Sequence, residues 1–208
     1  AAYVGTVLLG LLVLLVVYVA AVALFSRQKQ RRFLAAARPV QLLGFSTSSS
    51  AAVMPVSLAT AENELGVRPE LARFVIPLGA TINMDGTALY QGVATVFLAQ
   101  VYSVELGVGA LALVVITAVA ASIGAPAAPG VGIVILAGVL QNAGIPASGV
   151  ALLLGVDRLL DMARTSVNIT GDLTASLVLD RWLAKVARPA PPMEEPPEAA
   201  PLEEVPAL

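Results

Sequence analysis

Asp157-Arg158-Leu159-Leu160-Asp161-Met162-Ala163-Arg164-Thr165-Ser166-Val167-Asn168-Ile169-Thr170-Gly171-Asp172 is the stretch whose reading decides the fold. It lies inside a long apolar run, about 147–179, and carries five charged side chains. At about 100° per residue from Asp157, Asp161 falls at about 40°, Arg164 at about −20°, Asn168 at about 20° and Asp172 at about 60°. These positions form one stripe about 80° wide, with Thr165 on its edge and Arg158 outside it. Leu, Val, Met and Ala cover the rest of that helix surface. A charge at membrane depth costs several kcal/mol unless it pairs or meets water. So long a polar ladder exceeds what a single structural Asp/Arg pair between two helices requires, and it reads as a pathway or binding site.

Composition agrees with a membrane setting. Of 208 residues 58% are hydrophobic and only 12% charged, with 17 Gly and few aromatics. A soluble chain carries about 25% charged residues, and an apolar load of small residues suits closely packed membrane helices. There is no Cys and no His. That excludes disulfides, thiol nucleophiles and Ser-His or Cys-His catalysis. Residues 154–157 read Leu-Gly-Val-Asp, without the Gly-x-Gly-Asp surroundings of an intramembrane aspartyl protease, so the expectation is not an enzyme. A net charge of −2 offers no basic face for nucleic acid.

Outward from the decisive stretch, the chain alternates apolar blocks with polar breaks. Residues 1–26 are uncharged and long enough to span, since about 20 apolar residues suffice. There is no initiator Met and no signal-peptide pattern, so the chain reads as a fragment lacking its N-terminal part. Arg27, Lys29, Arg31, Arg32 and Arg38 form a basic loop, cytoplasmic by the positive-inside rule. The block 40–61 is broken at Ser46–Ser50 and Pro55. Charges from Glu62 to Arg73 follow, and then a span over 74–103, interrupted at Asn83-Met84-Asp85-Gly86-Thr87. The block 106–145 is split by Ser122–Gly130, where Pro and Gly end a helix. From Pro189 the chain is rich in Pro and Glu and is expected to be disordered.

With Arg27–Arg38 and Arg181–Arg188 both cytoplasmic, the crossings between them must be even in number. Charge alone leaves open whether the second broken block dips in and returns or crosses twice; length favours two re-entrant hairpins. Backbone of that kind is tolerated at membrane depth only where it is buried in protein or lines a cavity. Two broken hairpins, each followed by an interrupted or polar span, point to an inverted repeat. The fold class is therefore an all-α integral membrane protein. Its expected parts are a transmembrane helix with the basic loop (1–38), a transport core (39–187) and a tail (188–208).

Each break has its own chemistry. Asn, Asp and Gly together free backbone carbonyls beside a carboxylate, a hard-oxygen site for a small cation; the structural alternative is a kink with Asp85 paired to Arg164. Ser48-Ser49-Ser50 offers hydroxyls and backbone N–H groups that bind carboxylates, although a plain loop has the same composition.

Taken in order, Ser-Thr-Ser-Ser-Ser with Pro55, Asn-Met-Asp-Gly-Thr, Ser-Ile-Gly…Pro-Gly and the Asp157–Asp172 motif resemble the dicarboxylate/amino acid:cation symporter family of glutamate and aspartate transporters, over about residues 1–187. The resemblance implies the C-terminal half of such a carrier, with scaffold and trimer interface lying elsewhere in a homotrimer. It implies that Arg164 holds the substrate's side-chain carboxylate, a role suited to a planar bidentate donor. Asp161 would take the α-amino group. Thr87, Thr165 and Asn168 would supply polar contacts, Ser48 and Ser50 those of the first hairpin, and Ala128 and Gly132 the closing backbone of the second. For sodium, Asp172 would act with backbone oxygens of Gly79, Asn83 and Asn168. The side chains of Asn83 and Asp85 would form a further site, and backbone oxygens of Thr81, Ser122, Ile123 and Ala125 a third. Pro126 and Ala127 depart from the freer pattern common in that hairpin. Ala51 and Ala52 stand where many relatives are polar.

The function implied is sodium-coupled symport of an acidic amino acid, with no cofactor, sodium as coupling ion and a proton as its alternative. The protein would be a multi-pass, lipid-embedded protein of the plasma (inner) membrane with its C-terminal tail in the cytoplasm. Two competitors are a C4-dicarboxylate carrier of the same family and a non-transporting membrane subunit. Asp161 argues against the first, because a substrate without an amino group has no use for a carboxylate there.

Overall fold

The computed structural model describes residues 1–26 and 28–186. The tail beyond 186 and Arg27, and with them the expectations placed on them, lie outside the described residues. All regular structure among those described is helical. Helix α1 (Ala2–Ala21) closes in a π turn, Val22–Ser26. Then come α2 (Gln30–Thr47) and α3 (Ser50–Ala59), the latter extended by a π turn, Thr60–Glu64. The next pair is α4 (Pro69–Ile82) and α5 (Asp85–Val101), and after it α6 (Val108–Ser122) and α7 (Val131–Asn142). A 3-10 turn (Ala147–Leu152) leads into α8, Leu154–Val186.

The breaks fall inside the expected segments but are shorter. The serine run breaks the helix only at Ser48 and Ser49, where Ser48 takes φ 53° and Ser49 caps α3 by accepting the Ala52 N–H. The α4/α5 interruption is Asn83-Met84 alone. Pro55 breaks nothing and sits within α3, as Pro39 does within α2. The basic segment is not a loop from Gln30 onward, so Arg31, Arg32 and Arg38 stand on α2. The physical reason is that Phe33, Ala37, Val40 and Gly44, spaced at helical intervals, are buried against the bundle. The last span likewise starts later than 147, because its first six residues form a 3-10 turn, and α8 continues past 179 to Val186.

α8 is 33 residues long, roughly 50 Å at 1.5 Å per residue, and packs against α1, α2, α3, α4, α5 and α7. Its first half, through Leu160 and Val167, joins a core built with Leu11, Tyr90, Leu98, Ile133 and Leu136. Its second half, through Ile169, Leu173 and Leu177, joins another with Val22, Phe33, Val53 and Ile76. The polar stripe occupies the seam between them. The exterior is the apolar side: Leu9, Val16, Leu24, Ile116 and Val134 are exposed, while Asp157, Asp161, Arg164, Asn168 and Asp172 are buried. That is the reverse of a soluble protein and suits lipid around the bundle. Among the described residues, one helical stretch, Ala2–Ser26, is long and apolar enough by itself to cross a membrane.

Candidate functional site

Three breaks meet the α8 stripe at one place. From the first, Ser48 and Ser50 point in; from the second, Met84 and Thr87; from the third, Ala125, Pro126, Ala127, Ala128, Val131 and Gly132. Asp161, Arg164, Thr165 and Asn168 on α8 complete the lining. The cavity they enclose is about 20 Å³, room for one or two waters. Every residue expected to contact substrate lines it.

Arg164 is the centre of the site. It is 2% exposed, and its Nη2 donates to Asp161 Oδ1 at 2.6 Å, one helical turn back. Its guanidinium carbon lies 4.2 Å above the Tyr90 ring centroid, a cation–π stack. The other oxygen of Asp161 accepts the Gly130 N–H at 2.9 Å, so the α6/α7 connection is tied to α8 through this carboxylate. Gly130 takes φ 77°, a conformation that glycine adopts without steric cost. Thr165 donates to the Asp161 carbonyl. Opposite, Ser49 Oγ donates to Ala127 O at 2.7 Å and joins the tips of the two helical pairs.

The second polar region lies along the same stripe. Asp172 accepts from Asn83 Nδ2 at 2.9 Å and presses against Gly79, where a Cβ would collide with the carboxylate. Asp85 accepts from Tyr18 Oη at 2.7 Å and not from Arg164, which removes the kink pairing as an explanation. A Cβ on Gly171 would stand 2.6 Å from Asn83 Nδ2 and 2.7 Å from Tyr18 Oη, so this glycine lets α1, α8 and the α4/α5 break converge. Asn168 clamps the break: its Oδ1 accepts the Gly86 N–H at 2.8 Å and its Nδ2 donates to Thr87 Oγ1 at 3.3 Å. The Thr81 carbonyl accepts the Gly124 N–H at 2.7 Å, bringing α4 to the end of α6 beside Ser122, Ile123 and Ala125. Asp85, Thr81 and Ile123 are exposed, whereas Asp172 and Ser122 are buried. Among the described residues no three acidic side chains gather around one point.

The ordered breaks, the polar ladder and a buried Arg–Asp pair facing both helical tips match a known family. A model of the sodium:dicarboxylate symporter family matches residues 1–182. The chain belongs to that family. Within the sodium:dicarboxylate symporters it is 41% identical over 179 residues to a proton/sodium-glutamate symport protein of Bacillus subtilis, covering 86% of this chain and 42% of the relative. Human excitatory amino acid transporter 3 is 41% identical over 184 residues, 88% of this chain and 35% of its own length. Mouse excitatory amino acid transporter 4 is 44% identical over 134 residues, 64% of this chain and 24% of its own. The chain thus spans about two fifths or less of the length of these relatives.

Sequence reasoning missed four residues of this arrangement. Tyr90 lies three residues after Thr87 on one face of α5, a helical-spacing signal that could have found it. Met84, whose sulfur lies 3.4 Å from Asn168 Nδ2, stands inside a quoted motif. Tyr18 carries no local signal, because its partner Asp85 is 67 residues away, and Ser49, although inside the quoted serine run, gives no sign of its partner Ala127, 78 residues away.

Proposed function

We propose that the protein carrying this chain is a secondary symporter that moves an acidic amino acid, aspartate or glutamate, across the plasma (inner) membrane, coupled to sodium. The observation that carries this reading is the buried Arg164–Asp161 pair, set in a cavity lined by all three helix breaks. A guanidinium fork and a carboxylate side by side complement the two ends of an amino acid with an acidic side chain. Arg164 takes the side-chain carboxylate, and Asp161 takes the ammonium that a plain C4-dicarboxylate lacks. Ser48, Ser50, Thr87, Thr165, Asn168 and the backbone at Ala128 and Gly132 complete the enclosure. Sodium is cargo here. Asp172 with Gly79, Asn83 and Asn168 oxygens holds one ion, Asn83 and Asp85 another, and Thr81, Ser122, Ile123 and Ala125 oxygens a third. The names of the relatives, a proton/sodium-glutamate symport protein and two excitatory amino acid transporters, support this and not an enzymatic role.

On this reading α2–α3 and α6–α7 are re-entrant hairpins, each followed by a polar or interrupted span, as in an inverted repeat. Residues 39–187 form the transport core, the segment before them is a membrane helix with a cytoplasmic basic end, and the complete protein is a homotrimer. The test is Arg164→Cys in the full-length protein reconstituted into liposomes. Sodium-driven uptake of aspartate and glutamate should be abolished; undiminished uptake would refute the assignment. Full uptake under a pH gradient without sodium would make the proton the coupling ion.

A further inference from the structure

The transport reading leaves one buried polar cluster without a task. Asp157 stands on α8 one turn before Asp161 and is 6% exposed. Around it gather Tyr3 from α1 and Tyr90 from α5, with Gln91 next in the chain. The Tyr3 and Tyr90 hydroxyls, Asp157 Oδ1 and Arg164 Nη1 are all sealed from solvent without a hydrogen-bond partner. Two of these atoms face each other. Arg164 Nη1 lies 3.9 Å from Asp157 Oδ1, within ion-pair distance but too far for a hydrogen bond.

We propose that Asp157 is a positioning residue for Arg164, holding the guanidinium flat on Tyr90 and taking over its Nη1 when Asp161 turns to a ligand; this rests on the transport reading above. The argument is one of charge and geometry. Asp157 and Asp161 lie seven and three residues before Arg164, on one face of one helix, and address opposite ends of the guanidinium fork. Asp161 already divides its two oxygens between Arg164 Nη2 and the Gly130 N–H. Offering an oxygen to a ligand ammonium loosens its hold on Arg164, and a buried guanidinium stripped of its partner is strongly destabilised. Asp157 supplies the missing charge after a shift of about 1 Å, the difference between 3.9 Å and a charge-assisted hydrogen bond. The Tyr90 face permits that shift, since a cation–π contact constrains height above the ring more than position across it. Gly132, whose Cβ position would lie within 3 Å of three guanidinium atoms, leaves the space in which the fork slides.

The experiment compares Asp157→Asn with the unmodified full-length protein in detergent. It measures L-aspartate affinity at saturating sodium and, separately, sodium affinity without substrate. Aspartate affinity should fall about 10–100-fold, the loss of one hydrogen bond between charged groups. Sodium affinity should stay within about threefold, since Asp157 is no part of the proposed sodium sets and the loss is that of the Arg164 bond alone. A purely structural role would lower both together, and that result overturns the proposal, as does no change in either. If the Asn variant does not fold, Asp157→Glu, which keeps the charge but moves it, decides: selective loss of aspartate affinity with normal sodium affinity supports the proposal, and joint loss or no change in either overturns it. Absence of sodium-dependent aspartate binding in the unmodified protein would remove the transport reading and this proposal with it, an outcome distinct from failure of the Asp157 arm alone.

Discussion

Gly132→Ala places one methyl group where the cavity beside α8 has no room for it. Gly132 is buried in the first turn of α7, and its added Cβ would stand 2.5 Å from Arg164 Nη2, 2.7 Å from Cζ and 2.9 Å from Nη1. Carbon atoms in proteins do not approach so closely, so the guanidinium must retreat by close to 1 Å. It is not free to do so cheaply. Asp161 grips it from one side, Tyr90 lies beneath it, and only 2% of the residue reaches solvent. Overpacking of this kind costs about 1–3 kcal/mol, which at 1.4 kcal/mol per tenfold is a loss of about 5- to 150-fold in acidic-substrate affinity. The intrinsic preference of a helix for alanine over glycine, about 0.5–1 kcal/mol, offsets only part of that cost in the stability of the fold. Gly138→Ala in the same helix is the control, since no atom lies within 4 Å of its Cβ position. Aspartate binding by calorimetry and thermal unfolding of the full-length protein would be measured for both variants. Unchanged affinity in Gly132→Ala, or an equal loss in Gly138→Ala, would refute the placement of Arg164 beneath α7.

Two further outcomes follow from contacts already described. Asp172→Asn keeps the size of the side chain and the link to Asn83 but removes the charge; the sodium concentration for half-maximal uptake in liposomes should rise at least about tenfold, the weight of one charged ligand. An unaltered sodium dependence would place the ion elsewhere. Ser49→Ala removes both the cap on Ala52 and the bond to Ala127 at 2.7 Å, with a cap alone worth about 1 kcal/mol. In a protein carrying Ala127→Cys, this second substitution should quicken labelling by a thiol reagent in the presence of sodium and aspartate. Equal rates with and without Ser49→Ala would show that the two tips are not latched there.

Much of the site was legible because its signals are local. The α8 ladder is a periodicity, and a helix turns that periodicity into a face whatever surrounds it; Asp157, Asp161, Arg164, Asn168 and Asp172 are all buried and Arg158 is exposed, as the wheel requires. The breaks at Ser48-Ser49, Asn83-Met84 and 123–130 follow equally from serine capping, from the Asn-Asp-Gly run and from glycine and proline. The start of α2 was not legible. A cluster of basic residues reads as a loop until the burial of Phe33 and Ala37 supplies the energy that keeps it helical.

Sequence alone therefore determined the helices, their interruptions and which residues carry charge into an apolar interior, since these depend on neighbours within a turn or two. Only the tertiary structure decided who meets whom. Tyr18 reaches Asp85, Tyr90 lies under Arg164, Ser49 holds Ala127, and Arg68 donates to the buried Asp180 at 2.7 Å, a contact across 112 residues. Such partnerships are fixed by how α1 through α7 pack around α8. A hydroxyl, a ring or a carbonyl leaves no mark in its own neighbourhood of the partner that packing will bring to it.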